Sequence, residues 1–129
     1  MKLIHALTAA AALAFISTAA LAAGDPAAGE KVFMKCKACH QIGAGAHNAV
    51  GPELNGLNGR MAGTAAGYNY SDAMKKAGFA WDEKNFEEYI ANPKAKVPGN
   101  KMPFAGLPAD ADRANVWAYI SQFKADGSK

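Results

Sequence analysis

The strongest hydrophobic pattern along the chain has a helical period, and it is clearest near the two ends of the segment 25–124. Val32, Cys36 and Cys39 recur at helical spacing behind Asp25, which can cap, and Pro26, which suits a first helical position. A helix over 25–38 is the expectation. Val116, Trp117, Ile120 and Phe123 form one apolar stripe, opened by Pro108, with Asp110 and Asp112 in the first turns and Lys124 near the end. Between these, Ser71-Asp72 starts a short helix over Ser71 to Ala77 that Gly78 stops. Asp82 caps another, in which Phe86, Tyr89 and Ile90 share a face before Asn92-Pro93 ends it. The stretch from Gly43 to Gly67 holds seven glycines and no sustained period. It reads as a loop too long to be idle. Lys94 to Leu107 reads as irregular. No segment alternates well enough to be a strand, so the pattern predicts an all-α domain of about four to five helices, with long loops that need something to pack against.

The first residues stand apart. Lys2 gives a basic start, Ala6 to Ile16 is apolar, and Ser17, Thr18 and Ala20-Leu21-Ala22 supply a small-residue cleavage pattern. This is the layout of a secretory signal peptide, residues 1–22, cut after Ala22. A membrane anchor is the poorer reading, because the run is Ala-rich, holds Thr8 and ends in Ser17-Thr18. There is no twin-arginine pair, so export would be of the unfolded chain. Ala23 to Lys129 is then a single domain, too small to bury much surface, and such domains lean on disulfides, metals or cofactors. A bridge between Cys36 and Cys39, three positions apart, would staple almost nothing.

Those cysteines belong instead to Cys36-Lys37-Ala38-Cys39-His40, the C-x-x-C-H pattern of covalent haem attachment. The chemistry dictates the spacing. Two thiols add to two vinyl groups of one porphyrin, two intervening residues let one helical turn reach both, and the next imidazole falls beneath the iron. A chance occurrence in such a chain is on the order of one in a few thousand. A thioredoxin-like redox pair wants a βαβ context that the pattern lacks. A structural zinc site wants four ligands, and beyond residue 22 only His40 and His47 remain to join the cysteines. His40 is the expected proximal ligand of one haem c.

For the opposite face of the iron, the candidates are His, Met, Lys, a small ligand or nothing. His47 lies seven residues past His40, too close to pass round the macrocycle edge. Met34 sits on the ligand helix, Met61 in the Gly-rich loop, and Met74 mid-helix, where Met commonly fills core. Met102 lies in the irregular run Gly99-Asn100-Lys101-Met102-Pro103-Phe104, off any helical stripe, where backbone can arc over a flat cofactor. Position alone favours Met102 without closing the other options.

Taken together, the motifs resemble the class I c-type cytochromes, most closely the bacterial cytochrome c2 group and mitochondrial cytochrome c. The likeness runs through Gly29 and Phe33, Cys36 to His40, Gly51-Pro52-Glu53-Leu54, Gly59-Arg60, Gly67-Tyr68-Asn69-Tyr70-Ser71 and Trp81. It continues through Glu88-Tyr89, Asn92-Pro93-Lys94, Pro98 to Met102, and Val116-Trp117-Ala118-Tyr119. The resemblance implies the compact cytochrome c fold wrapped round one covalent haem, with Met102 as sixth ligand. It implies that Pro52 offers its carbonyl to His40, and that Arg60, Tyr70 and Trp81 hydrogen-bond the haem propionates. It places Tyr89 beside the methionine sulfur, and Gly29, Phe33, Trp117 and Tyr119 at a crossing of the first and last helices. Two departures stand out: Asn100 where the family usually has Thr, and Met74 where it often has Asn.

Charge adds a partner surface. Removing Lys2 from the 14 basic residues leaves 13 against 11 acidic, a formal +2. Six lysines lie in the two segments that carry the ligands: Lys31, Lys35, Lys37, Lys94, Lys96 and Lys101, with no acid inside 31–40 or 94–102. If both segments frame an exposed haem edge, that edge is positive and steers a carrier onto acidic redox complexes. No broad basic patch points to nucleic acid, and nothing after residue 22 is long enough to span a bilayer. The expectation is a monomeric periplasmic one-electron carrier, not an enzyme, between a quinol-oxidising cytochrome bc complex and a reaction centre or terminal oxidase. A haem enzyme or gas sensor would need an open sixth position and distal acid–base groups, for which only His47 is spare.

Overall fold

The computed structural model describes residues 23–129; the proposed signal peptide, 1–22, lies outside them. Among the described residues there are five helices: α1 Pro26–Phe33, α2 Asp72–Lys75, α3 Glu83–Ala91, α4 Pro93–Lys96 and α5 Asp110–Ile120. The helix starts follow local chemistry. The side chain of Asp25 accepts from the Ala27 N–H, Ser71 from Met74, Asp82 from Asn85 and Asn92 from Ala95. Each such cap contributes about 0.5–2 kcal/mol.

Helices α1 and α5 cross at close quarters. A Cβ on Gly29 would fall 1.8 Å from the Asn115 carbonyl oxygen, so only glycine lets the two backbones meet there. The Asp25 N–H donates to Asn115 Oδ1 at 2.8 Å, and the rings of Phe33 and Tyr119 lie 5.3 Å apart. Phe33, Val116 and Ile120 are almost wholly buried at this crossing. Burial of each such side chain is worth about 1.5–3 kcal/mol, which is what holds two short helices in place. Trp117 turns the other way to stack on Phe86 of α3, ring centres 5.1 Å apart.

The helices differ from the sequence pattern in four places, the least being α2, which spans Asp72–Lys75 rather than Ser71 to Ala77. The first helix ends at Phe33, not at 38; residues 34–39 continue as hydrogen-bonded turns, with the Cys36 N–H bonded to the Phe33 carbonyl and the Cys39 N–H to that of Cys36. The one-turn helix α4 sits inside the stretch read as irregular. Asn92 both ends α3 and caps α4, and Pro93 takes the first helical position, so one Asn-Pro pair serves as stop and start. The last helix begins at Asp110 rather than Pro108 and has no side-chain cap; Arg113 reaches back to the Leu107 and Pro108 carbonyls instead.

No strand forms among the described residues, but Met61 and Ala80 make an isolated antiparallel bridge. Its flanks, Trp81 N–H to the Arg60 carbonyl at 2.8 Å and Gly59 N–H to the Trp81 carbonyl at 2.7 Å, pin Trp81 beside Arg60. No described helix is long and apolar enough to cross a membrane.

Candidate functional site

The turn that follows α1 sets the first side of the site. The His40 N–H bonds to the Cys36 carbonyl at 2.9 Å, a single α-like turn that brings both sulfurs and the imidazole to one cavity. Burial pushes the Cys36 thiol up to about 11, helped by Cys39 and opposed by Lys35. Reactive redox cysteines have depressed pKa values. A neutral thiol of this kind is a poor disulfide-exchange nucleophile.

His40 is held from behind. Its Nδ1 lies 2.7 Å from the Pro52 carbonyl oxygen, which can only accept, so Nδ1 carries the proton and Nε2 is left with a lone pair. Burial holds the imidazole below its usual pKa, the Pro52 bond opposes that, and the Arg60 charge adds to it. The ring is a neutral donor. Gly51 backs it: a Cβ there would fall 2.4 Å from His40 Cε1, so the chain can pass behind the ring only as glycine.

The cavity itself measures about 240 Å³. Its walls are mostly apolar, from Leu54, Leu57, Met74, Phe86, Ile90 and Ile120. Polar groups interrupt this lining. Arg60 lies there, bonded to Glu53 and to the Asn55 carbonyl, and so do Tyr70 and Trp81. The Tyr70 oxygen accepts from the Ala65 N–H at 2.9 Å, which leaves its own proton free to donate. Trp81 is fixed between two rings, 4.9 Å from Phe79 and 5.2 Å from Tyr89.

Met102 lines the same cavity. Its N–H bonds to Asn100 Oδ1 at 2.9 Å, and the Asn100 amide donates to the Pro93 and Val97 carbonyls at 3.0 and 2.9 Å. Asn100, the departure from the family's usual residue, is therefore the clamp on this loop. The Tyr89 hydroxyl lies 3.8 Å from the Met102 sulfur, and burial pushes that phenol up to about 12, so it stays a donor. Met74, the other departure, is buried and lines the cavity. Met34 and Met61 are exposed, at 61% and 47%.

The donor set suits a haem: two thiols and an imidazole lone pair from one turn, a thioether from another loop, an apolar hollow, and Arg60, Tyr70 and Trp81 where carboxylates would need partners. Of the six lysines, Lys35 and Lys101 line the cavity. Lys31, Lys37 and Lys94 are exposed on their segments without lining it. Lys96 is different. Its ammonium pairs with Glu88, lies 3.1 Å from Asn85 Oδ1 and 5.0 Å over the Phe79 ring, in a separate cleft with Ala73, Ala77 and Val97. The sequence separated acids from ligand-bearing lysines; in space the turn from α3 to α4 brings Glu88 and Lys96 together and compensates that charge.

A family model for cytochrome c matches residues 26–124. The chain is 65% identical over 107 residues to cytochrome c2 of Rhodoblastus acidophilus, covering 83% of this chain and 100% of that one. This protein is a class I c-type cytochrome of the cytochrome c2 group. It also shares 64% identity with cytochrome c-554 of Methylosinus trichosporium, across 100% of this chain and 99% of the other. Among solved structures, cytochrome cH from Methylobacterium extorquens superposes with a TM-score of 0.72 at 47% identity, covering 75% of this chain and 97% of that one. As a member of the family, the cytochrome has the compact all-α cytochrome c fold, carries one covalently bound haem c and is an electron-transfer protein rather than an enzyme.

Two parts of the site had no role in the sequence reading. Gly51 carried a signal, a glycine directly before Pro52, but its contact with His40 crosses a loop. The part played by Asn100 carried none, since its reach back to the Pro93 and Val97 carbonyls depends on where α4 turns.

Proposed function

We propose that this cytochrome is a soluble periplasmic carrier whose haem is attached through Cys36 and Cys39 and ligated by His40 and Met102. The observation that carries this reading is the convergence of two separate loops on one apolar cavity. One brings His40 with Nε2 free, and the other brings Met102 with its sulfur beside the Tyr89 hydroxyl. When bound, the haem would supply a one-electron couple, and the soft thioether of Met102 as a ligand would favour its reduced form and raise the potential.

The chain's own residues do the rest. Pro52 fixes the His40 tautomer, Asn100 sets the Met102 backbone, and Tyr89 restrains the sulfur. Arg60, Tyr70 and Trp81 are the partners proposed for the propionates. The apolar walls exclude water, so little has to reorganise around the site when its charge changes by one. Residues 1–22 are the export signal, and Ala23–Lys129 is the exported domain.

The partners proposed are acidic redox complexes: a quinol-oxidising cytochrome bc complex as donor, and a photosynthetic reaction centre or terminal oxidase as acceptor. Lys35, Lys101 and Val50, the last 69% exposed, all line the cavity and give a small positive rim with one apolar point. Such a surface favours brief contact. The carrier works as a monomer.

The deciding experiment is on the ligand. The oxidised protein should show the weak near-infrared sulfur-to-iron charge-transfer band that the family resemblance implies. Met102→Ala should abolish the band and lower the potential, while Met61→Ala and Met74→Ala keep it. A band that survives Met102→Ala would reject the assignment.

A further inference from the structure

Of the cationic residues that line the cavity, Arg60 is the one paired with a carboxylate among the described residues, and its surroundings are unusually specific. A guanidinium has five N–H donors. Nη1 spends its two on Glu53 Oε1 and the Asn55 carbonyl, each at 3.1 Å, and Nη2 spends one on the Glu53 carbonyl at 2.9 Å. Two donors, the Nε–H and the second Nη2 N–H, have no partner among the described residues, and Arg60 lines the cavity. The other oxygen of the Glu53 carboxylate accepts from the Asn55 N–H at 2.6 Å, so both oxygens of Glu53 are fixed. Only 16% of the Arg60 side chain and 25% of the Glu53 side chain are exposed. A pair this sheltered is screened far less than a surface one.

The surrounding loop makes the pair rigid. Asn55 is buried, and its side chain clasps Gly43 twice, accepting from the N–H at 2.8 Å and donating to the carbonyl at 2.9 Å. The clasp fixes the backbone on which Glu53 sits, and Glu53 can leave Arg60 only by giving up the Asn55 N–H as well. Both charges are felt at the cavity wall: the Tyr70 phenol, raised chiefly by burial, is pulled down by Arg60 and pushed up by Glu53.

We propose that Glu53 is a positioning residue that sets the redox potential, holding Arg60 at the cavity wall and cancelling part of its positive charge toward the haem. This deepens the proposed function and rests on Arg60 facing the haem. The sign follows from charge alone. Reduction adds one electron to the site, so a nearby carboxylate disfavours the reduced form and lowers the potential, and its removal leaves Arg60 uncompensated and raises it.

The test compares charge with geometry in the haem-loaded protein, by redox titration and urea unfolding together. Glu53→Gln and Glu53→Asn remove the charge and should shift the potential upward. Gln keeps only one of the two acceptors, so both variants should also unfold at lower urea. Glu53→Asp keeps the charge and should stay near the wild-type potential. Asn55→Ala breaks the clasp on Gly43 without changing charge, so it should lower the unfolding midpoint without that upward shift. Glu87→Gln, on α3 beside Asp110 and Arg113, is the remote control and should leave the potential where it was.

A neutral Glu53 variant with unchanged potential, or an equal rise in Glu53→Asp or Asn55→Ala, would overturn the proposal. Failure of both neutral variants to mature with haem would do so as well, since the carboxylate would then be a part of the fold rather than a charge setter. An unshifted Glu53→Gln that still carries haem and the Met102 band rejects this inference alone; a wild-type protein without covalent haem rejects the reading beneath it.

Discussion

The two arms that reach the cavity are built on different principles. The His40 arm is backed by buried groups: Gly51 presses on the ring, Pro52 accepts from it, and Asn55 clasps Gly43 below. The Met102 arm lies over the surface, with Pro98, Gly99, Lys101, Pro103 and Ala105 all exposed. Its side-chain polar anchors are the Asn100 amide and the Tyr89 hydroxyl, and only Met102 and Phe104 pack, partly buried, against the core. An arm anchored on the buried Gly51 and Asn55 cannot open without disturbing core, whereas an exposed arm held by fewer buried groups opens locally at lower cost. Opening of the first should therefore be close to global unfolding, and opening of the second a local event at the sixth ligand.

The largest effect should come from Gly51→Ala. Its Cβ would meet His40 Cε1 at 2.4 Å and Nδ1 at 2.7 Å, and the Gly51 N–H, bonded to the Cys39 carbonyl at 2.8 Å, ties the backbone in place. Overpacking of this kind costs about 1–3 kcal/mol or more, and here it also displaces the ligand. The yield of haem-loaded protein should fall sharply. Gly45→Ala is the control: nothing lies within 4 Å, but its φ of +74° makes a side chain strained by about 1–2 kcal/mol. Equal yields from the two variants would mean that the ring is not confined from behind.

Asn100→Ala should be intermediate and confined to the other arm. It leaves the Met102 N–H without its partner, at about 1–3 kcal/mol if that group stays dry, while the Pro93 and Val97 carbonyls keep their backbone bonds. In a urea titration the charge-transfer band should disappear well before the helices melt, with a wider gap between the transitions than in the wild type. Loss of band and helix in one step would mean that the two arms form a single cooperative unit.

The smallest effect is on the rim. Charge reversal at Lys35 or Lys101 should slow electron transfer to an acidic partner about a few-fold at low ionic strength and little at high salt. Lys96→Glu should do less than either, because Glu88 already offsets that charge, and Lys124→Glu, near the C-terminus, serves as a second control. Equal effects from all four, or none that depends on salt, would mean that docking relies on apolar contact.

How much of this was legible beforehand depends on the range of the interaction. Cys36, Cys39 and His40 could be named from the sequence because covalent attachment demands neighbours in sequence, and a tight turn serves as well as the longer helix expected there. The capped helix starts were legible for the same reason: Asp25, Ser71 and Asp82 bond N–H groups two or three residues away. The pattern overran α1 by five residues and missed α4, because a string of i→i+3 turns keeps helical spacing while Asn92-Pro93 hides a start inside a stop. Met102 could be favoured from its irregular setting, but its nearness to Tyr89 depends on how α3, α4 and the loop pack. The Glu53–Arg60 pair, the Gly51 contact with His40 and the compensation of Lys96 by Glu88 were decided in three dimensions. Sequence fixes chemistry that acts within a turn of the chain; charges and surfaces meet across loops, and only the fold brings those loops together.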